Sequence, residues 1–139
     1  MTDIDPRLAA DCILLGHFPL CRLLLMNDSN YPWFILVPDR EGIREIYQLD
    51  DAERAQLLGE SCALAEFLMA HFEGDKLNVA ALGNQVPQLH LHHVVRYRSD
   101  PAWPAPVWGR HPPIAYSPES LREIRSAIST AGLADFNPE

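Results

Sequence analysis

Polar and hydrophobic positions change period several times along the chain, and each change marks an element. Asp5-Pro6 reads as an N-cap followed by proline at the first helical position, which predicts a short helix to about Ile13 with Gly16 near its end. The apolar runs "PLCRLLLMND" (19–28) and "PWFILVPDR" (32–40), parted by "SNY", read as two strands of an antiparallel hairpin. Across 48–72 the period lengthens: Leu57, Ser61, Leu64, Leu68 and Phe72 recur at helical spacing, with Leu58, Ala65 and Met69 beside them. Asp50 followed by Glu53 is a capping-box pattern that starts this long helix.

"LNVAAL" (77–82) predicts a third strand, "GNQVP" (83–87) a loop and "QLHLHHVVRYR" (88–98) a further strand. Five of the twelve prolines fall in 99–113, which predicts an ordered but irregular arm. Ser117-Pro118 opens a last helix, with Leu121, Ile124, Ile128 and Ala131 on one side and Gly132 after it. Together these elements predict a single α+β domain with a mainly antiparallel sheet of about five strands and the long helix packed on it.

The histidine strand carries the candidate chemistry. Side chains alternate across a strand, so Gln88, His90, His92 and Val94 share one face, and Leu89, Leu91, His93, Val95 and Tyr97 share the other. The second set is mostly apolar, so His93 reads as a hydrogen-bonded core residue. His90 and His92 sit two residues apart, which puts their Cβ atoms roughly 7 Å from each other, near enough to reach one phosphate or one metal. Three readings compete: surface histidines on a solvated face, metal ligands, or a nucleophile with a supporting imidazole. A metal site needs a third ligand, usually a carboxylate or another histidine; no recognised spacing supplies one, and His71 or His111 would complete a site only by an accident of the tertiary fold. Imidazole is a good nucleophile near neutral pH.

Composition narrows the partners. A net charge of −8 argues against bulk nucleic acid and anionic membranes but not against one small nucleotide. Cys12, Cys21 and Cys62 have no metal-binding spacing and lie among apolar residues, so each is expected to be a buried thiol in a reducing, cytoplasmic setting. No signal peptide or membrane-spanning run is visible.

"NQVPQLHLHHVV" (84–95) resembles the signature of the histidine triad (HIT) superfamily, and "YPWFILVP" (31–38) is similar to the family's "GHxLVxP" strand. The match spans roughly 18–98 of the chain, and the arm and last helix are less diagnostic. The resemblance implies a HIT-like fold, a homodimer sharing its sheet, and no cofactor. It implies hydrolysis or transfer at the α-phosphate of a purine nucleotide or nucleotide conjugate, such as a phosphoramidate or a dinucleoside polyphosphate. His90 falls on the nucleophile that forms a nucleotidyl-imidazole, and His92 on the histidine that contacts phosphate and leaving group. Asn27 or Asp28 falls where the family often binds ribose. Gly83, Asn84 and Gln85 fall in the phosphate loop, and Asn78 lies near the pocket. Gln88 replaces the first histidine of the motif and is expected to orient His90. Trp33 stands in place of the "GHxLVxP" histidine. Arg96 alternates onto the His90 face, where the residues themselves leave two readings: a phosphate contact, or charge at a fraying strand end. A non-catalytic nucleotide-binding protein is the competing reading, and an H-x-H metal-binding protein a third.

Overall fold

The computed structural model describes residues 1–139. Helix α1 (Pro6–Asp11) leads into strands β1 (Cys12–His17), β2 (Cys21–Met26) and β3 (Trp33–Pro38). A single 3₁₀ turn (Ile46–Gln48) precedes α2 (Asp51–Phe72), which is followed by β4 (Lys76–Ala81), β5 (Leu91–Arg96), α3 (Pro118–Thr130) and β6 (Asn137–Pro138). The six strands form one antiparallel sheet in the order β4-β5-β3-β2-β1-β6.

The capping box predicted at α2 is present: the Asp50 carboxylate accepts from Glu53 N at 2.8 Å, and the Glu53 carboxylate accepts from Asp50 N at 3.0 Å. Helix α2 lays Leu57, Leu64 and Leu68 on one face of the sheet, and α3 adds Ile124 and Ile128 to the same core. Leu23, Leu25, Phe34, Leu36, Leu91 and Val95 meet them from the strands, and Leu89 from the segment before β5. The opposite face is also covered. Leu24, Trp33, Ile35, Val37 and Val94 pack there against Leu8 of α1 and Ala102 and Val107 of the proline-rich arm. Every residue of β3 and of β5 is therefore buried. That explains the unbroken apolar run at 33–38, since a strand dry on both faces has no reason to alternate.

Two strands differ from expectation. The first helix stops at Asp11, and Cys12–His17 forms β1. Cys12 and Leu14 pack toward the arm side while Ile13 and Leu15 pack toward α2. This is a strand period that a continuous apolar run conceals. Gly16 is not a helix end but the site of a bulge in β1, at φ +154°, and β6 pairs with it. A Cβ at Gly16 would lie 2.4 Å from the Asn137 carbonyl oxygen and 2.6 Å from the Phe136 ring, so glycine is what lets β6 approach. Of the thiols, Cys21 is buried and Cys12 half-buried, whereas Cys62 is exposed, contrary to the expectation of three buried cysteines.

Gly16→Val is expected to release β6 and to cost about 1–3 kcal/mol, the usual range for strain at a special backbone position. Amide exchange at Glu139, whose N–H donates to the Leu15 carbonyl at 2.9 Å, should accelerate with little change at α2. Unaltered protection at Glu139 would contradict this role for Gly16.

Candidate active site

The strand expected over 88–98 is shorter, Leu91–Arg96, so His90 lies just before β5; His92 and His93 still fall on opposite faces as alternation predicts. His93 faces α2 and is fully buried. Its Nδ1 lies 3.1 Å from the Leu91 carbonyl and its Nε2 lies 2.7 Å from Ser61 Oγ. A carbonyl only accepts, so Nδ1 carries the proton and Nε2 accepts from the serine hydroxyl. Burial pushes the His93 pKa down to about 4, against the opposing pull of the Leu91 carbonyl. Although serine and histidine touch, Ser61 is buried as well, so the pair is structural.

His90 and His92 stand together on the other face, ring centroids 4.9 Å apart and nearly perpendicular. His90 Nδ1–H donates to the Gln88 carbonyl at 2.7 Å, which leaves the Nε2 lone pair of the neutral ring free. His92 is arranged the opposite way: its Nδ1 accepts from Trp33 Nε1–H at 2.9 Å, which leaves the proton on Nε2. Burial first, then the neighbouring His90 and His93, pushes the His92 pKa down to about 3. One ring thus presents a lone pair and its neighbour presents an N–H. Neither Nε2 has a protein partner. Both stay open to contact, since the sealed unpaired side-chain atoms are Arg22 Nε, Tyr31 OH and Trp108 Nε1.

A solvated face for these histidines is ruled out, because His90 and His92 are only 5% and 4% exposed. The arm covers His92. Trp108 packs edge-on against both His92 and Trp33, at centroid distances of 5.2 and 5.8 Å. Beside Trp33 a cleft of about 460 Å³ is lined by Met26, Asn27, Asp28, Val107 and His111 among others, a volume suited to a small ligand. His90 borders a separate cavity of about 40 Å³ walled by Arg44, Gly83, Pro87 and Gln88. That is room for a few waters at most.

Residues 7–99 match the family model for the HIT domain. The chain belongs to the HIT-domain family. The family is one of nucleotide-binding proteins and hydrolases. This HIT protein is similar to a histidine triad protein from Marinobacter aquaeolei VT8, at 54% identity and a TM-score of 0.92, over 96% of this chain and 99% of that one. It is similar to a histidine triad protein from Bradyrhizobium japonicum at 42% identity and a TM-score of 0.90, over 91% of this chain and 95% of that one. A histidine triad protein from Sinorhizobium meliloti 1021 follows at 39% identity and a TM-score of 0.89, over 91% of this chain and 94% of that one. No curated protein sequence matches.

In this HIT protein several motif positions act differently from expectation. The Gln88 side chain turns away from His90: its Oε1 accepts from Asp5 N at 2.8 Å and its Nε2 donates to the Asp3 carbonyl at 3.0 Å. The group that orients His90 is the Gln88 main-chain carbonyl. Arg96 shares the histidine face but is spent. It makes a bidentate pair with Asp100 at 2.9 and 3.0 Å and donates to Asn78 Oδ1 at 2.8 Å, with the Tyr31 and Trp103 rings against its guanidinium. Arg96 is therefore fully engaged within the protein, and Asn78 is bound to it through Oδ1. Burial alone would raise the Asp100 pKa, but Arg96 and the Tyr97 and Trp103 amides bring it below the usual carboxylate range.

Asp28 is buried, and its Oδ1 accepts from the Asn30 amide, the Asn30 side chain and Ile114 N, so it ties the turn after β2 to the arm. Asn27 accepts from Tyr116 N through Oδ1 and lines the cleft. Gly83, Asn84 and Gln85 are exposed, and Arg7 of α1 donates to the Gln85 carbonyl at 2.6 Å. No three His, Cys, Asp or Glu side chains converge in a group able to hold a metal. His71 stacks on Phe67 and His111 lines the cleft instead. No helix is long and apolar enough to cross a membrane. Sequence reasoning missed Asp100 as the anchor and the indole–imidazole bond. The first carried a faint signal in its spacing of four from Arg96, and the second joins residues 59 positions apart.

Asp100→Ala is expected to cost about 3–5 kcal/mol in urea unfolding, because it strands a buried guanidinium. A second expectation concerns pH. The unfolded chain protonates its histidines near 6.5, while folded His92 and His93 stay neutral down to about 3 and about 4. Stability is thus complete above roughly pH 6.5 and falls as pH drops, approaching about 1.4 kcal/mol per pH unit for each histidine. The urea midpoint should decline between about pH 7 and about pH 5, and His93→Val should flatten that decline. An unchanged slope in the variant would assign the loss to other groups.

Proposed function

We propose that this HIT protein hydrolyses or transfers the nucleotidyl group of a purine nucleotide conjugate through a covalent intermediate on His90. One observation carries the reading: adjacent rings present an Nε2 lone pair from His90 and an Nε2–H from His92. In this reading His90 Nε2 attacks the α-phosphorus, the bond to the leaving group breaks, and His92 donates a hydrogen bond to a phosphoryl oxygen. Water then displaces His90 from phosphorus and releases the nucleoside monophosphate. Electrostatic positioning supplies most of the acceleration.

The nucleoside occupies the cleft beside Trp33, with Asn27 near the ribose. The phosphate lies between the histidines and the exposed loop 83–85, which moves to enlarge the small cavity at His90. Phosphoramidates and dinucleoside polyphosphates are both candidate substrates. A cytoplasmic homodimer belongs to the same reading. Strand β4 is an unpaired sheet edge with Val79 and the nearby Leu82 exposed, which suits pairing with a second copy. The competing reading is a nucleotide-binding protein without turnover, and the diversion of the Gln88 side chain to the N-terminal segment favours it.

Incubation with a dinucleoside polyphosphate labelled at the α-phosphate should release labelled AMP and leave acid-labile label on the protein after rapid quenching. His90→Ala should remove both. A His90→Ala variant that still releases AMP at the wild-type rate would overturn the nucleophile assignment. Binding without release in the wild type would favour the non-catalytic reading.

A further inference from the structure

The indole–imidazole bond restricts which leaving groups the site can expel. Making His92 an imidazolium requires a second proton on Nδ1. That lone pair already receives the Trp33 N–H, and an indole nitrogen only donates. Protonation would set two N–H groups head to head at a contact now 2.9 Å long, between side chains that are 6% and 4% exposed. Trp33 cannot readily swing aside, because Tyr31 and Trp108 pack edge-on against it at 6.4 and 5.8 Å.

No other group takes over as a proton donor. The Gln88 side chain is turned to Asp3 and Asp5, and His90 spends Nδ1 on a carbonyl. The charged groups bordering the cavity at His90 are Arg44 and Glu45. Glu45 meets the Gln48 amide only through its main-chain carbonyl, at 3.1 Å; its side chain is exposed, and an ionised carboxylate accepts and does not donate. Arg44 is exposed, and its guanidinium has no protein partner. Guanidinium does not give up its proton, but it stabilises an anion beside it. Asp11, Asp28 and His111 line the cleft beside Trp33 and not this cavity.

We propose that Trp33 is a positioning residue that holds His92 as a permanent Nε2–H donor, and that it thereby confines the site to nucleotides whose leaving group departs as an oxyanion. A phosphate chain or a carboxylate qualifies; an amine does not. This rests on the nucleotidyl-His90 reading. As His90 Nε2 bonds to phosphorus, the P–O bond breaks and its electron pair leaves on oxygen, needing no proton. Water then attacks phosphorus, the P–N electron pair returns to Nε2, and the proton of water passes to solvent. Expelling an amine would put the pair on nitrogen, which needs a proton in the same step.

The test uses the full chain with adenosine 5′-phosphate aryl esters of graded phenol acidity, a dinucleoside polyphosphate and an adenosine alkylphosphoramidate. Wild-type rates should fall steeply as the phenol becomes less acidic. Amine release should trail polyphosphate cleavage by roughly 10²–10⁴-fold, the usual contribution of a missing general acid. Trp33→His should narrow that gap. Nitrogen NMR of the wild type should show His92 as the neutral Nε2–H form at about pH 5, and Trp33→Phe should free Nδ1, so that the Nδ1–H form appears and His92 takes its second proton at a higher pH than in the wild type, with burial still holding it below its ordinary range. A flat leaving-group series, amine release as fast as polyphosphate cleavage, or a charged or Nδ1–H His92 at neutral pH would overturn the proposal. If no nucleotide derivative is cleaved, the nucleotidyl-His90 reading falls and takes the leaving-group claim with it. The NMR titration would still decide for or against Trp33 as the residue that fixes His92.

Discussion

Strand β5 is buried on both faces, and His90 just before it is buried too, so each nitrogen of the three histidines is either paired within the protein or left without a protein partner. His93 pairs both of its nitrogens, with Ser61 and the Leu91 carbonyl. His90 and His92 pair only Nδ1, and they do so with opposite polarity. A buried polar atom without a partner costs about 1–3 kcal/mol, so these choices are held firmly. The chemistry of the site follows from a packing condition: once the face is dry, tautomers are set by whichever backbone carbonyl or indole lies within reach.

What keeps the face dry is the arm, and what keeps the arm in place is the Arg96–Asp100 pair. Its two side chains are each 2% exposed. Asp100 also accepts from the amides of Tyr97, Ala102 and Trp103, which folds the start of the arm back over β5. Such a buried pair adds less net stability than its geometry suggests, because both ions are desolvated. Its contribution here is to fix a path. That path brings Val107 and Trp108 over the sheet, and Trp108 against His92. At the far end, Asn27 and Asp28 hold Tyr116 and Ile114 by their amides.

The sequence made the elements with clear local signals legible. The capping box of α2, the serine cap of α3 and the alternation along β5 all depend on neighbours in the chain, and all are present. So was the placement of His93 on the core side, apart from His90 and His92, because two apolar neighbours put it there. Strand β1 was hidden because an apolar run packed on both sides has no period to read, and β6 because two residues carry no pattern at all. The fates of Arg96, Asn78 and Asp28 were hidden for another reason. A polar residue on the correct face looks like a ligand contact until its partners from distant segments are known. The Trp33–His92 bond belongs with these: the motif shows a histidine missing, but not that an indole has taken over a hydrogen bond.

The family match ends at residue 99, one position before Asp100. The carboxylate that fastens the arm, the indole beside His92, and Val107 and His111 in the cleft all lie beyond it. The matched segment carries His90 and His92, while the tail that follows packs against His92 and shapes the cleft beside Trp33. Two members with the same histidines but different tails would enclose different volumes, and so select different molecules without a single change in the motif.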